Sequence, residues 1–203
     1  MDITPDATEL IELARGGTAD ALGRLLARYG NYLGLLARVQ IGRRLQGKID
    51  PADLVQETFL EAHRHFPVFR GQSEPEVAAW LRQIMAGVLS NLLRRYLGTQ
   101  GRDVRLEREF AGDLDRSSQA LDGGFADPGP TPSKLAVGRE RAVLLADALG
   151  RLPDDYREVI ILRNLEELPF AEVAKRMGRS EDAVQKLWVR ALARLRAALD
   201  EGE

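Results

Sequence analysis

Residues 150–199, GRLPDDYREVIILRNLEELPFAEVAKRMGRSEDAVQKLWVRALARLRAAL, decide how this chain is read, because they spell a helix followed by a helix-turn-helix. Phe170, Val173, Ala174 and Met177 recur at helical spacing, then Gly178 offers a C-terminal cap and Ser180 an N-cap. Two helices therefore meet across a short turn. In the second, Val184, Leu187, Trp188, Ala191, Leu192, Leu195 and Leu199 share a broad apolar face that must pack on the preceding helices. The opposite face carries Gln185, Lys186, Val189 and Arg190. Gln and Arg can reach base edges, Lys and Arg neutralise phosphates, and the N-terminal half of a recognition helix is the part that enters the major groove. An ordinary amphipathic helix in a bundle would show the same stripe, so this motif alone does not fix a function.

The chain has 203 residues, enough for one large domain or two small ones. It has no cysteine, which removes disulfides, thiol nucleophiles and Cys-based zinc sites and permits a reducing compartment. No apolar run approaches the roughly 20 residues that span a bilayer, and the stretch MDITPDATELIEL is acidic, unlike a secretory signal. The expectation is a cytoplasmic protein without membrane insertion. Net charge is −2. That is unusual for a protein that grips duplex DNA unaided, since phosphate neutralisation supplies most of non-specific affinity. Either DNA is not the ligand or another protein supplies much of the affinity. Locally the balance shifts, with Arg82, Arg94, Arg95, Arg102, Arg105 and Arg108 set against only Asp103 and Glu107, although a solvated helix face would look the same.

The pattern is all-α: two small helical domains, 1–97 and 134–203, joined by a flexible linker at 98–133. A short amphipathic helix spans 6–15 and ends at Gly16 and Gly17, and a longer one runs from Thr18 to about Val39 with Leu22, Leu25, Leu26, Tyr29, Leu33 and Leu36 on one face. The next opens at Asp50 with Pro51 in its first turn. The fourth opens at Ser73-Glu74-Pro75-Glu76, which has the form of a capping box, and runs to about Leu97. From Gly98 to Ser133, Gly, Asp, Ser and Pro dominate, which reads as linker. Helices at 134–150 and 153–166 precede the helix-turn-helix.

Two separate segments match one family in the same order. DPADLVQETFLEAHRHFPVFRGQSEPEVAAWLRQIMAGVLSNLLRRY at 50–96 and the stretch beginning LPDDYREVIILRNL at 152 resemble domains 2 and 4 of a sigma factor of the extracytoplasmic-function (ECF) group, with a weaker match at 9–38. The resemblance implies a factor that binds core RNA polymerase, recognises the −35 and −10 promoter elements and promotes DNA opening. It implies no cofactor and no catalysis. Its partners would be the clamp helices of the largest polymerase subunit, the flap, promoter DNA and, as is common in the family, an anti-sigma factor. Carried over by position, Asp53, Leu54, Gln56, Glu57 and Thr58 would dock on the clamp helices. Phe69, Arg70, Gly71, Gln72 and Ser73 fall in the loop that captures an unstacked −10 base, where polar groups can bond the exposed base edge and aromatic or basic groups hold the strand. Arg82, Gln83, Asn91, Arg94 and Arg95 would line the following helix towards the promoter strand. Trp80 occupies the family's aromatic position, but its spacing with Ile84 and Val88 is that of a buried stripe. Gln185, Lys186, Val189 and Arg190 would read the −35 element, with Arg176 and Arg179 on the backbone. The chain departs from the family at Gly87, where many members have Asn, and at Gln185, where a basic residue is common.

Two other readings compete. A helix-turn-helix repressor would bind duplex DNA tightly by itself, usually as a dimer on a palindrome. An enzyme could use His63 and His65 with Glu57 and Glu61 on a metal, but His at i and i+2 point to different sides of a helix, and no H-E-x-x-H, P-loop or dinucleotide fingerprint occurs.

Overall fold

A computed structural model describes residues 5–18, 20–44, 49–97, 104–122 and 135–200 of the chain. All regular elements among them are helical, and the chain divides into two compact units, Met1–Arg116 and Ser117–Glu203.

The first unit begins with α1 (Ala7–Arg15), whose first turn is capped by the Asp6 carboxylate accepting from the Glu9 amide. The expected long helix after Thr18 is instead two, α2 (Ala21–Ala27) and α3 (Gly30–Arg44). The chain bends at Arg28–Tyr29, just before Gly30, and the bend brings Tyr29 and Tyr32 both into the core, with the Tyr29 hydroxyl 3.4 Å from the Glu74 carbonyl. α4 (Pro51–His65) starts as expected: Asp50 accepts from the Ala52 amide at 2.8 Å and Pro51 takes the first helical position. A single 3-10 turn (Phe66–Val68) leads to the loop before α5 (Glu74–Leu97). Val77, Leu81, Met85 and Leu89 give α5 a fully buried stripe, and α4 packs on both α3 and α5.

The expected linker does not hold across its middle. Val104–Asp122 form a helix, α6, in which Phe110, Leu114 and Leu121 are fully buried. Their spacing of four and seven residues places them on one face, enough apolar area to fasten a helix despite the Gly, Asp and Ser around them. Residues 98–103 and 123–133 lie outside the described residues.

Arg82 ties the first half of α6 to the unit. Its Nε donates to the Asp115 carboxylate at 2.7 Å and its Nη1 to the Tyr32 hydroxyl at 2.8 Å. Burial opposes the guanidinium charge, but Tyr32 and Asp115 outweigh it and raise the net pKa above the ordinary arginine value. This corrects the expectation that Arg82 faces promoter DNA: it is a buried structural cation. Replacing Arg82 by Ala is expected to destabilise the protein by about 2 kcal/mol, because Asp115 and Tyr32 lose their donor. Chemical denaturation would check this, and an unchanged midpoint would count against it.

The second unit holds α7 (Leu135–Gly150), α8 (Asp154–Ile160), a π-helical turn (Ile161–Leu165), α9 (Phe170–Met177) and α10 (Glu181–Asp200). Its core includes Leu145, Leu149, Val159, Ile160, Leu162, Val173, Val184, Ala191 and Leu195, and α10 packs on α7, α8 and α9.

Candidate nucleic-acid interface

The turn between α9 and α10 is built as the sequence predicts. Gly178 caps α9 at φ +63°, a left-handed conformation that costs a side chain with a Cβ, and the Ser180 hydroxyl accepts from the Ala183 amide at 3.3 Å to start α10. One face of α10 is then locked inward. The Trp188 indole N–H donates to Asn164 at 2.9 Å, and its ring meets Phe170 edge-on at 5.6 Å. That fixes the helix's rotation, and Gln185, Lys186, Val189 and Arg190 are all exposed on the other side. Val189, at 59% exposure, is an apolar side chain in water between cations and an amide. Lys186 pairs with Asp182 at 2.8 Å. Arg190 has no bonded partner among the described residues.

Arg176 and Arg179 border this face but are already engaged. Arg176 pairs with Glu166 at 2.7 Å, and Arg179 with Asp155 at 2.5 Å. Both stay part-exposed, so each guanidinium keeps donors for a further anion.

In the first unit, the structure sorts the expected polymerase-facing residues of α4 into two sets. Asp53 and Gln56 are exposed and Glu57 is half-buried. Leu54 and Thr58 are fully buried, the Thr58 hydroxyl donating to the Leu54 carbonyl at 2.7 Å, so neither can meet a partner. Leu60, which was not among the expected residues, is 60% exposed. It follows Asp53, Gln56 and Glu57 at helical spacing and lies off the buried 54–58–62 stripe, a signal that was available in the helical wheel.

The loop Phe69–Ser73 is tightly held. The Phe69 ring stacks on Trp80 at 4.5 Å between centroids, with Phe66 completing the cluster, and Phe69 is 8% exposed. This corrects its expected place among the base-capturing groups, since its ring is already stacked; Trp80 is half-buried in the same cluster, in line with its buried spacing. Gly71 admits no side chain: a Cβ there would lie 2.4 Å from Phe69 Cζ and 2.8 Å from the Glu76 Cβ. Glu76 accepts from the Gln72 amide at 2.8 Å, the Ser73 amide at 3.0 Å and the Ser73 hydroxyl at 2.8 Å. The predicted capping box is made on its Glu76 side, which reaches both residues before the helix, while the Glu76 amide takes the Ser73 carbonyl at 3.1 Å rather than its hydroxyl. Arg70 and Gln72 are exposed, and Arg70 donates to the Pro67 carbonyl at 2.9 Å.

The bonds from the Gln72 backbone, the Ser73 side chain and the Ser73 backbone, with the Arg15 charge nearby, hold the Glu76 carboxyl below the ordinary glutamate value. A value lowered in the folded state means that the bonds contribute fully above the ordinary glutamate range and are lost as pH falls through the folded value. Hydrogen exchange at the Gln72 and Ser73 amides is therefore expected to accelerate on acidification, beyond its intrinsic pH dependence, only below the ordinary glutamate range. Acceleration already at neutral pH would contradict this.

Along α5, Gln83, Asn91 and Arg95 are exposed, while Arg94 bonds the Ser90 carbonyl and the Asn91 side chain. Gln83, Gly87 and Asn91 line a cavity of about 410 Å³ that Glu107 of α6 also borders. At Gly87, where an Asn would reach into this cavity, the chain offers only backbone.

Residues 28–97 match the family model for Sigma-70 region 2, and residues 142–195 match that for Sigma-70, region 4. The ECF RNA polymerase sigma-E factor of Haemophilus influenzae is 31% identical over 169 residues, covering 83% of this chain and 82% of that protein. This chain belongs to the ECF sigma factors. The ECF RNA polymerase sigma factor BldN of Streptomyces coelicolor is 32% identical over 190 residues, 92% of this sigma factor but 64% of BldN, so the chain spans under two thirds of that relative. The structure of CnrH in complex with the cytosolic domain of CnrY shares 26% identity and covers 98% of this chain and 100% of that one, with a TM-score of 0.34, too low to bear on the fold. As an ECF sigma factor, the chain works in transcription initiation through promoter recognition. Among its described residues, no helix is long and apolar enough to cross a membrane.

Proposed function

We propose that this sigma factor binds core RNA polymerase through the exposed row Asp53, Gln56, Glu57 and Leu60 of α4, reads the −35 element with α10 and captures an unstacked −10 base at the loop 69–73. The observation that carries the reading is the fixed rotation of α10: with Trp188 bonded inward to Asn164, the row Gln185, Lys186, Val189 and Arg190 is presented together to solvent. Gln185 and Arg190 can bond base edges, Lys186 can neutralise a phosphate and Val189 suits a thymine methyl. Arg176 and Arg179 support them as phosphate contacts. For the −10 strand the available groups are Arg70, Gln72, Ser73, Gln83, Asn91, Arg94 and Arg95. Glu107 stands in the groove with Gln83 and Asn91, so a phosphate backbone entering there meets a carboxylate unless α6 shifts.

The protein is a binding factor acting where the polymerase is, in the cytoplasm, and its net charge of −2 makes it depend on polymerase for DNA affinity. Control by an anti-sigma factor that masks these faces belongs to the same reading and rests on the family resemblance.

Co-purification with core polymerase tests the α4 surface. Leu60→Asp is expected to weaken core binding about tenfold, through loss of apolar burial at a helix–helix contact, without a change in thermal stability because Leu60 is exposed in the free protein. Unchanged affinity would remove α4 from the interface, and failure of the unaltered chain to bind core would sink the proposal.

A further inference from the structure

We propose that Arg15 is a positioning residue for promoter opening. It lies on α1, before the first residue of the region 2 match at position 28, yet its guanidinium fastens the loop 69–73. The inference rests on the reading of that loop as the −10 base-capture site.

Nη2 of Arg15 donates to the Gly71 carbonyl at 2.6 Å and to the Phe69 carbonyl at 3.4 Å. The same guanidinium lies 5.9 Å from the centre of the Phe69 ring, itself stacked on Trp80. The Glu76 carboxylate takes the Gln72 and Ser73 amides. The carbonyls of the loop are thus held by a cation and its amides by an anion, and the space where a Gly71 side chain would stand is filled by Phe69 and Glu76. Charge-assisted bonds of this kind are the stronger ones, and the two partners come from separate helices: the Glu76 half of the brace is local to the loop, and the Arg15 half is a tertiary contact from more than 50 residues away. The Gln72 side-chain amide is exposed and has no bonded partner among the described residues.

A loop that must hold one base out of the stack gains from being ordered before the base arrives, because ordering it afterwards would be taken from the capture energy. Arg15 supplies that order from the end of α1, a helix that packs on α2 and buries Leu10 and Ile11. Its charge also suits the C-terminal turn of α1.

The test uses holoenzyme assembled from the full chain and core polymerase, with wild type, Arg15→Ala and Arg15→Lys compared on a promoter that the wild type opens. Three quantities are read: opening, by fluorescence of 2-aminopurine in the −10 element; core affinity; and hydrogen exchange at the Gln72 and Ser73 amides of the free protein. For Arg15→Ala, opening is expected to slow about tenfold, the effect of losing a charge-assisted hydrogen bond. Core affinity should stay within about twofold of wild type, since no group of the α4 row changes. Exchange at Gln72 and Ser73 should quicken while that at Leu10 and Ile11 does not. Arg15→Lys should recover part of the opening rate, because the charge and one bond return. Unchanged exchange at Gln72 and Ser73 would overturn the brace whatever the DNA result, and unchanged opening would overturn its role. Loss of opening in step with loss of core affinity would show a merely structural residue and overturn it too. A wild-type holoenzyme that opens no promoter would overturn the parent reading, a result distinct from failure of the variant alone.

Discussion

Lys186→Ala combined with Arg190→Ala is expected to lower transcription from a −35-dependent promoter about 100-fold, while core binding stays unchanged. Each lost base or phosphate contact is worth roughly 1–3 kcal/mol, and two such losses compound to about that factor. Both side chains are exposed and neither packs in the core, so the unit's thermal stability should hold. Lys186 gives up only a surface pair with Asp182, which contributes little. Transcription reconstituted from purified components checks the prediction, with a promoter lacking a −35 element as the internal control. Equal promoter use by the double variant would remove α10 from the recognition surface.

Gly71→Ala carries the second large effect. Its Cβ would overlap the Phe69 ring at 2.4 Å and the Glu76 side chain at 2.8 Å, so the aromatic stack, the Glu76 cap or the loop itself must shift. Overpacking of this kind costs about 1–3 kcal/mol, and the displaced loop is expected to lower promoter opening at least about tenfold. Binding to core and to a −35 duplex should survive, because α4 and α10 are untouched. Normal opening by this variant would mean that the loop's exact shape is irrelevant to the step.

What could be read from residues alone followed the strength of the local signals. The α9–α10 turn was legible because Gly178 and Ser180 each have one strong physical use at a helix boundary, and the structure employs both. The opening of α5 was legible for the same reason at Ser73 and Glu76. α6 is masked in the sequence by its composition: Gly112, Asp113 and Ser117 suggest a linker, while the periodic Phe110, Leu114 and Leu121 are buried. The break at Tyr29 was foreshadowed only by glycines that a continuous helix also tolerates. Arg82 and Phe69 are ambiguous in the sequence for a different reason. An arginine on a helix expected to face DNA and an aromatic in a loop expected to capture a base have two good uses each, and only tertiary partners choose between them. Arg82 found Asp115 and Tyr32, across more than 30 residues in each direction. Phe69 found Trp80. Arg15 left no sequence signal, because its bonds are to backbone carbonyls more than 50 residues away, which any residue type would present.

The proposed function has two recognition arms: α10, fixed in rotation by Trp188, and the loop 69–73, held by Arg15 and Glu76. Under the proposed function they act through the polymerase rather than by unaided affinity for duplex DNA. Footprinting on a promoter carrying both elements, with the purified chain alone, core alone and the two combined, tests it most directly. The predicted result is protection of both elements with permanganate-reactive, opened bases at −10 only when chain and core are combined. Tight, specific protection of duplex DNA by the chain alone, unchanged by core, would contradict it.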